Sequence, residues 1–453
     1  MITPSIFKAN DIRGVVVGDD PEWDAAGARA VGAAFVEVFG LAGRGFVLGR
    51  DMRTTGPELA AAFSEGAMGQ GADVIDIGLA STDQLWFASG TFDVPGVQLT
   101  ASHNPAAYNG VKFCQAKAAP IEPESLVAIA ELAQGAPPAP AVVAGSRREV
   151  DVLADYAAHL HHLVPLDGMR RLKVVYDAGN GMAGHTAPAV LGPLDIDLIG
   201  LFTELDGSFP NHPPNPLEPQ NLLDAQAAVR EHGADLALVF DGDADRCFIV
   251  DERGEVVSPS LITALIARQE LERDPGGTIV INTITSRAVD KVVADAGGTM
   301  VVSKVGHTSV KAKMAQFDAV FGGEHSAHYY FRDFWGADTG MLAGLHMLAM
   351  VGRSDGTMSD LVAGLPSFAA SGEINSAVED VPAVLDAVAA AFAGRGEADR
   401  EDGLTIVGNG WWVNVRPSNT EPLLRLNVEA RDADTMAALR DEALSIIRGG
   451  ADA

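Results

Sequence analysis

Six short clusters carry side chains whose types and spacing could do chemistry. TASHNP (100–105) sets Ser102 beside His103 just after the apolar run VPGVQL, with Pro105 barring a continued helix. A serine there is a nucleophile, a phosphate acceptor or a turn cap. It is not a hydrolase elbow, which reads G-x-S-x-G, because Asn104 stands where the second glycine belongs. DGDADR (241–246) follows LALVF and places Asp241, Asp243 and Asp245 at alternate positions. In an extended loop that spacing turns three carboxylates to one side, where they repel unless a hard cation such as Mg²⁺ neutralises them. A solvated acidic turn is the alternative. A calcium loop ending at Glu252 fails, since Arg246 replaces the required glycine and CFIVD (247–251) reads as a strand where a helix is needed.

GGEHSAHYYF (322–331) alternates Glu324, Ser326 and His328, an acceptor and donors suited to a sugar ring or to a polar strand edge. RPSNTEP (416–422) gathers Arg416, Ser418, Asn419 and Thr420 on a turn suited to a phosphate, or simply to capping. Arg13 in NDIRG and Lys112 in NGVKF are candidates to move a proton or hold charge beside a phosphorylated serine, or are ordinary surface charges. Arg50 and Arg53 in GRDMR, and Lys304 with His307 in SKVGH, add basic groups near strand ends. His159, His161 and His162 read as surface or packing residues, and Met341, Met347 and Met350 as helix core.

These clusters sit just past apolar strand runs, where open α/β sheets bind ligands. Short β-branched runs alternate with Ala-rich helical stretches through the first 365 residues, which predicts βα units and mixed, mostly parallel sheets. GFVLGRD (45–51) reads as a strand, 57–71 as a helix and ADVIDIG (72–78) as the next strand; the pattern restarts near 149 and near 259. The Pro-rich stretch 134–148 is the clearest linker. The remainder predicts a smaller α+β domain, with strands near 371–378, 404–407, 411–416 and 423–430. The expected domains are therefore 1–148, 149–253, 254–367 and 368–453, three of them similar α/β units, around a central cleft.

A chain of 453 residues is expected to hold about three domains or more. Its 32 basic against 61 acidic residues give a formal charge of −29, which disfavours nucleic acid and anionic membrane as partners. An anionic substrate then needs a locally basic pocket. Two cysteines, Cys114 and Cys247, make no disulfide framework and suit a reducing compartment. No signal-peptide pattern opens the chain, and the apolar stretch 341–351 is shorter than a bilayer span of about 20 residues. A cytoplasmic protein, monomer or homodimer, is the expectation.

NDIRG, TASHNP, NGVKF, DGDADR, GEHSAHYYF and RPSNTEP, in this order from residue 10 to 422, resemble the α-D-phosphohexomutase superfamily, and within it the bacterial phosphomannomutase and phosphomannomutase/phosphoglucomutase group. The resemblance implies that Ser102 is a phosphoserine and that Asp241, Asp243 and Asp245 hold Mg²⁺ together with its phosphate, with His103 and Arg246 beside them. It implies that Glu324, Ser326 and His328 meet the sugar, that Lys304, His307, Arg416, Ser418, Asn419 and Thr420 meet substrate, and that Lys112 and Arg13 serve proton transfer and charge. The implied reaction interconverts mannose 6-phosphate and mannose 1-phosphate through a hexose 1,6-bisphosphate, which is also the activator. A phosphoglucomutase, a dual-specificity enzyme, a phosphoglucosamine mutase and a non-catalytic phosphosugar-binding protein are the alternatives. Two positions depart from the family pattern: Asn10 replaces the aromatic before DIRG, which predicts weaker packing near the serine loop, and Ala327 replaces glycine, which predicts a methyl close to the sugar contacts.

Overall fold

The computed structural model describes residues 2–136, 138–418 and 423–449. Four sheets organise them. The first runs Ile12–Val15, Tyr108–Cys114, Gly96–Leu99, Gly45–Arg50, Asp73–Leu79, Arg147–Glu149. Gly45–Arg50 buries its four inner residues on both faces, because helices cover the sheet on each side. The helices Ala25–Phe39 and Gly56–Gly69 meet at glycines. A Cβ on Gly32 would lie 2.2 Å from the Phe63 carbonyl oxygen, and one on Gly66 2.0 Å from that of Arg29.

The second sheet runs Ile196–Leu201, Leu172–Asp177, Leu236–Phe240, Cys247–Asp251, Val256–Val257, and the third Thr299–Ser303, Thr278–Asn282, Phe321–Gly323, Tyr329–Phe331, Ala337–Asp338. Both repeat the pattern inside the first sheet: three parallel strands, then a fourth returning antiparallel as a hairpin. The internal repetition predicted from residue patterning is therefore present as topology. In all three units the hairpin connection carries one chemical cluster: 100–107, 241–246 or 324–328.

The fourth sheet is antiparallel, in the order Ala369–Ala370, Leu424–Ala430, Trp411–Pro417, Leu404–Gly408, Glu397–Asp399, with Ile374–Ser376 also on Leu424–Ala430. The patterning missed Glu397–Asp399, an edge strand with all three residues exposed and no apolar face to reveal it.

One continuous core joins the first three units, from Val47 and Trp86 through Val174 and Phe240 to Ile281 and Phe331. The C-terminal domain keeps a separate core around Leu404, Val413, Val428 and Leu439. The apolar stretch at 341–351 belongs to Gly340–Arg353, an almost wholly buried helix at the centre. Among the described residues no helix is long and apolar enough to cross a membrane.

A buried carboxylate ties the first three units together. Asp83, near the start of the helix Thr82–Phe92, accepts from the Tyr156 hydroxyl at 2.7 Å and the Thr339 hydroxyl at 2.7 Å, and also from Ser81. Burial pushes its carboxyl up to about 6, against the pull of these three donors. Its folded value thus lies above the ordinary 3.8, so its contribution to stability is fully present below that pH and falls as pH rises through about 6. Asp83→Ala, which strands three buried hydroxyls, should cost about 2–4 kcal/mol in urea unfolding. Asp83→Asn should flatten the pH dependence of stability between pH 4 and 6, and an unchanged slope would contradict this account.

Candidate active site

Ser102 lies on the hairpin connection of the first unit, buried, with φ of +50°. Its amide donates to Thr100 Oγ1 at 2.9 Å. The loop makes little secondary structure, so its carbonyls need another partner. Arg53 supplies it: Nη1 donates to the Pro105 and Tyr108 carbonyls at 2.8 and 2.9 Å, and Nη2 to those of Ser102 and Asn104 at 2.9 and 2.6 Å. Asp51 anchors the guanidinium through Nε at 3.2 Å. Sequence reading placed Arg53 only as a basic group near a strand end. Its role was invisible because the acceptors are backbone atoms of a segment 49 to 55 positions away.

The aspartates sit on the hairpin turn after Leu236–Phe240. The turn is tight, with Ala244 at φ of +60°, where the alternation argument assumed an extended loop. The side chains still converge: one ligand oxygen from each lies within 4.8 Å of the others, and all three residues are at most 1% exposed. Gly242 lets this turn pack on the serine loop, since a Cβ there would lie 2.5 Å from the Ser102 carbonyl oxygen. Glu252, the last position of the rejected calcium loop, instead accepts from Ser359 Oγ at 2.6 Å.

Around this turn the charges are paired across domains. Ser102 Oγ donates to Asp241 Oδ2 at 2.8 Å, and Arg246 donates to the same oxygen through Nε at 2.9 Å and Nη2 at 2.7 Å. Arg246 Nη2 also reaches Ser102 Oγ at 3.3 Å and His103 Nδ1 at 2.6 Å. Lys112 Nζ donates to Asp243 at 2.7 Å and Asp245 at 2.5 Å, and Thr82 Oγ1 to Asp243 at 2.6 Å. Burial, with the charges of Asp245 and Asp243 added, pushes Asp241 up to about 7 despite Arg246. Burial acts upward on Asp243 too, but Lys112 and Thr82 hold it well below the usual carboxylate range. Burial would lower the Lys112 ammonium, and the two aspartates raise it instead. Burial, then Arg246 and Arg13, keep His103 well below its ordinary value and therefore neutral.

The donor set fits a hard divalent cation. Asp243 Oδ1 and Asp245 Oδ1 are buried without a hydrogen-bond partner, and three converging carboxylates are the ligand type such ions take.

The third hairpin loop meets the second. His328 and Arg246 form an antiparallel bridge, and His328 Nε2 lies 3.6 Å from Asp245 Oδ1. Ser326 Oγ and His328 Nδ1 are 2.9 Å apart. Glu324 is buried; Oε1 accepts from Tyr330 at 2.5 Å, and Oε2 from Asn282 Nδ2 at 3.0 Å and the Gly306 amide at 3.1 Å. Ala327 adopts φ of +67°, a conformation that favours glycine, and its methyl joins the core shared by the units. The expected methyl beside the sugar contacts is thus packed inward. Asn10 Oδ1 accepts from Thr308 Oγ1 at 2.5 Å, so this departure links the first and third units.

Arg13 joins the serine loop through Asn104 Oδ1 at 2.9 Å and pairs with Asp11 at 2.8 Å. His307 begins the helix His307–Phe317, and burial with the Lys311 charge holds it well below its usual value. Lys304 is exposed on the preceding loop. In the C-terminal domain Arg416 donates to Glu373 at 2.9 Å, while Arg425, which the motif reading missed, pairs with Glu373 at 3.1 Å and donates to Ser418 Oγ at 3.0 Å. Asn419 and Thr420 lie outside the described residues. His159 stacks on Trp335 with centroids 5.1 Å apart, a packing role as expected.

Lys112 neutralises Asp243 and Asp245 through their Oδ2 oxygens, and so competes in charge with a cation bound at the free Oδ1 oxygens. Lys112→Met should therefore lower the melting temperature in chelator and make it rise more steeply with added divalent cation than in the wild type. Equal cation dependence of the two proteins would refute the competition.

Family models for phosphoglucomutase/phosphomannomutase match along the chain: alpha/beta/alpha domains I, II and III at residues 4–137, 154–254 and 258–368, and the C-terminal domain at 373–446. A phosphomannomutase of Salmonella typhimurium is 39% identical over 439 residues, 94% of each chain. A protein of Xanthomonas campestris named among phosphohexose mutases is 39% identical over 454 residues, covering 99% of this chain and all of its own. The crystal structure of a phosphoglucomutase/phosphomannomutase family protein from Burkholderia thailandensis superposes with a TM-score of 0.91 at 34% identity, over 100% of this chain and 99% of that one.

Proposed function

The chain belongs to the phosphoglucomutase/phosphomannomutase family, and from that premise we propose that it is a phosphohexomutase interconverting mannose 6-phosphate and mannose 1-phosphate through phospho-Ser102. The observation that carries the reading is the contact of Ser102 Oγ with the converging aspartates, 2.8 Å from Asp241, under the Arg246 guanidinium. A serine that carries a phosphoryl group needs cations and oriented donors at its oxygen.

In the forward step the Ser102 Oγ–P bond breaks as the sugar hydroxyl oxygen bonds to phosphorus; the hydroxyl proton passes to a base of the site, and one proton is returned to Ser102 Oγ, so none is gained or lost overall. Ser102 is left as the alcohol and the substrate becomes a hexose 1,6-bisphosphate. Turned end for end, the bisphosphate returns its other phosphoryl group to Ser102. Asp241, Asp243 and Asp245 would hold Mg²⁺, which when bound neutralises charge on the transferring phosphoryl group. Arg246 adds a fixed positive charge at the same oxygen. Lys112, held protonated by two aspartates, contributes charge. His328 is the group with a free role in taking the proton: burial lowers its ordinary value and so keeps it neutral, and Ser326 orients Nδ1. Glu324 would accept from sugar hydroxyls beside the bonds it already makes, and Arg416 with Ser418 to Thr420 would hold the phosphate that is not reacting. The domains we assign to these tasks are 1–148, 149–253, 254–367 and 368–453. The names of the relatives favour the mannose pair, while a sugar loop that reads hydroxyls 3 and 4, equatorial in both hexoses, leaves glucose phosphates as competing substrates.

Intact mass of the purified protein should show one added phosphoryl group, mapped by fragmentation to Ser102. Ser102→Ala should lose mutase turnover by at least about a thousandfold, even with hexose 1,6-bisphosphate supplied, and full activity in that variant would overturn the assignment. Turnover of mannose 1-phosphate against glucose 1-phosphate ranks the two sugars.

A further inference from the structure

One loop of the third unit is shared by carboxylates from two different places. Its consecutive amides at Val305 and Gly306 donate in opposite senses: Val305 to Asp402 Oδ2 of the C-terminal domain at 3.0 Å, Gly306 to Glu324 Oε2 of the sugar loop at 3.1 Å. The neighbouring strand end divides the same way. Thr283 Oγ1 donates to Asp402 Oδ2 at 2.8 Å, and Asn282 Nδ2 to Glu324 Oε2 at 3.0 Å. Two adjacent pairs of donors therefore join one oxygen of Asp402 to one oxygen of Glu324.

Asp402 is equally tied to the other end of the site. Its turn packs on the strand Trp411–Pro417: the Asp402 carbonyl accepts from Asn414 Nδ2 at 3.2 Å, and Gly403, at φ of +73°, comes so close that a Cβ would lie 2.6 Å from Arg416 Cα and 2.4 Å from the Val415 carbonyl oxygen. A displacement of the Arg416 strand carries the Asp402 turn with it, because Leu404, two residues on, pairs with Val415 in the same sheet. The C-terminal domain keeps its own core, so polar contacts of this kind, together with Glu429 accepting from the Arg287 amide at 2.8 Å, set where it docks on the third unit.

We propose that Asp402 is a positioning residue that couples the placement of the Arg416 strand to the orientation of Glu324, so that the phosphate-holding and sugar-holding ends of the cleft are set together. The proposal rests on the mutase reading for what Arg416 and Glu324 hold. The coupling itself is a property of the chain. A substrate phosphate drawing the Arg416 strand inward would tighten the Asp402 contacts, and through Val305 and Gly306 would fix the carboxylate that meets the sugar. Binding at one end then favours binding at the other, by the reciprocity any such coupling must obey.

Asp402→Ala removes the acceptor for both donors, while Asp402→Asn keeps one carbonyl oxygen able to accept from both. In the full-length protein, Asp402→Ala should raise KM for the hexose phosphate about tenfold with kcat changed less than about threefold, and Asp402→Asn should restore KM to within about twofold of the wild type. Hydrogen exchange followed by mass spectrometry should quicken in Asp402→Ala at peptides covering 304–307 and 321–328, and not in Asp402→Asn. An unchanged KM, or faster exchange confined to 304–307 with 321–328 untouched, would overturn the coupling. Equal losses in kcat and kcat/KM would do the same, since they indicate a general structural defect. If the wild type turns over neither hexose phosphate, the mutase reading fails, and the exchange at 321–328 alone then decides the coupling.

Discussion

Three buried carboxylates, Asp241, Asp243 and Asp245, each hold an oxygen within 4.8 Å of the others, and the rest of the structure answers that constraint. Buried like charges are tolerated only when cations and donors surround them. The second unit supplies one of these, Arg246, from its own turn. The others come from the first unit: Lys112 from the strand Tyr108–Cys114, Thr82 from a helix start and Ser102 from the serine loop. The aspartates therefore have no stable setting in their own domain alone. Docking of the first unit on the second is what makes the turn affordable, and the same docking brings Ser102 to it.

The repeated topology explains how several domains reach one place. Each of the first three units ends its parallel strands with an antiparallel hairpin, and the connection of that hairpin is free of the sheet's hydrogen-bond ladder. Such a connection can carry polar residues at the edge of a continuous apolar core. The backbone cost is met locally in different ways. Arg53 satisfies three carbonyls of the serine loop and that of Tyr108 where the next strand starts, positive φ at Ala244 and Ala327 turns the other two loops sharply, and Arg246 and His328 bridge one loop to the next. The C-terminal domain stands outside the common core, so its position depends on a few polar contacts centred on Asp402 and Glu429. A domain with its own core can be repositioned without breaking the core shared by the other three, which a reaction that turns its intermediate end for end requires.

Strand positions and the repetition of units were legible in the residues, because apolar runs and the polar breaks that follow them are local patterns. The same patterning overlooked Glu397–Asp399, whose residues are all exposed, and it drew the aspartate turn as extended when Ala244 bends it. It gave Ala327 to the sugar contacts although its backbone turns the methyl into the core. The role of Arg53, and Arg425 altogether, were missed for a different reason: an arginine that serves carbonyls or another side chain looks like any surface arginine until its partners are known.

Residue type and position after a strand decided what each loop can do, since a serine, an aspartate trio or an arginine turn keeps its chemistry in any fold. Which charges face one another was decided by tertiary structure. The bonds that define the site span long stretches of chain, 131 residues from Lys112 to Asp243, 139 from Ser102 to Asp241 and 119 from Thr283 to Asp402. No local pattern encodes such a pairing. It follows from how the sheets pack, and packing is set by the summed burial of many apolar side chains, most of which lie outside the site loops.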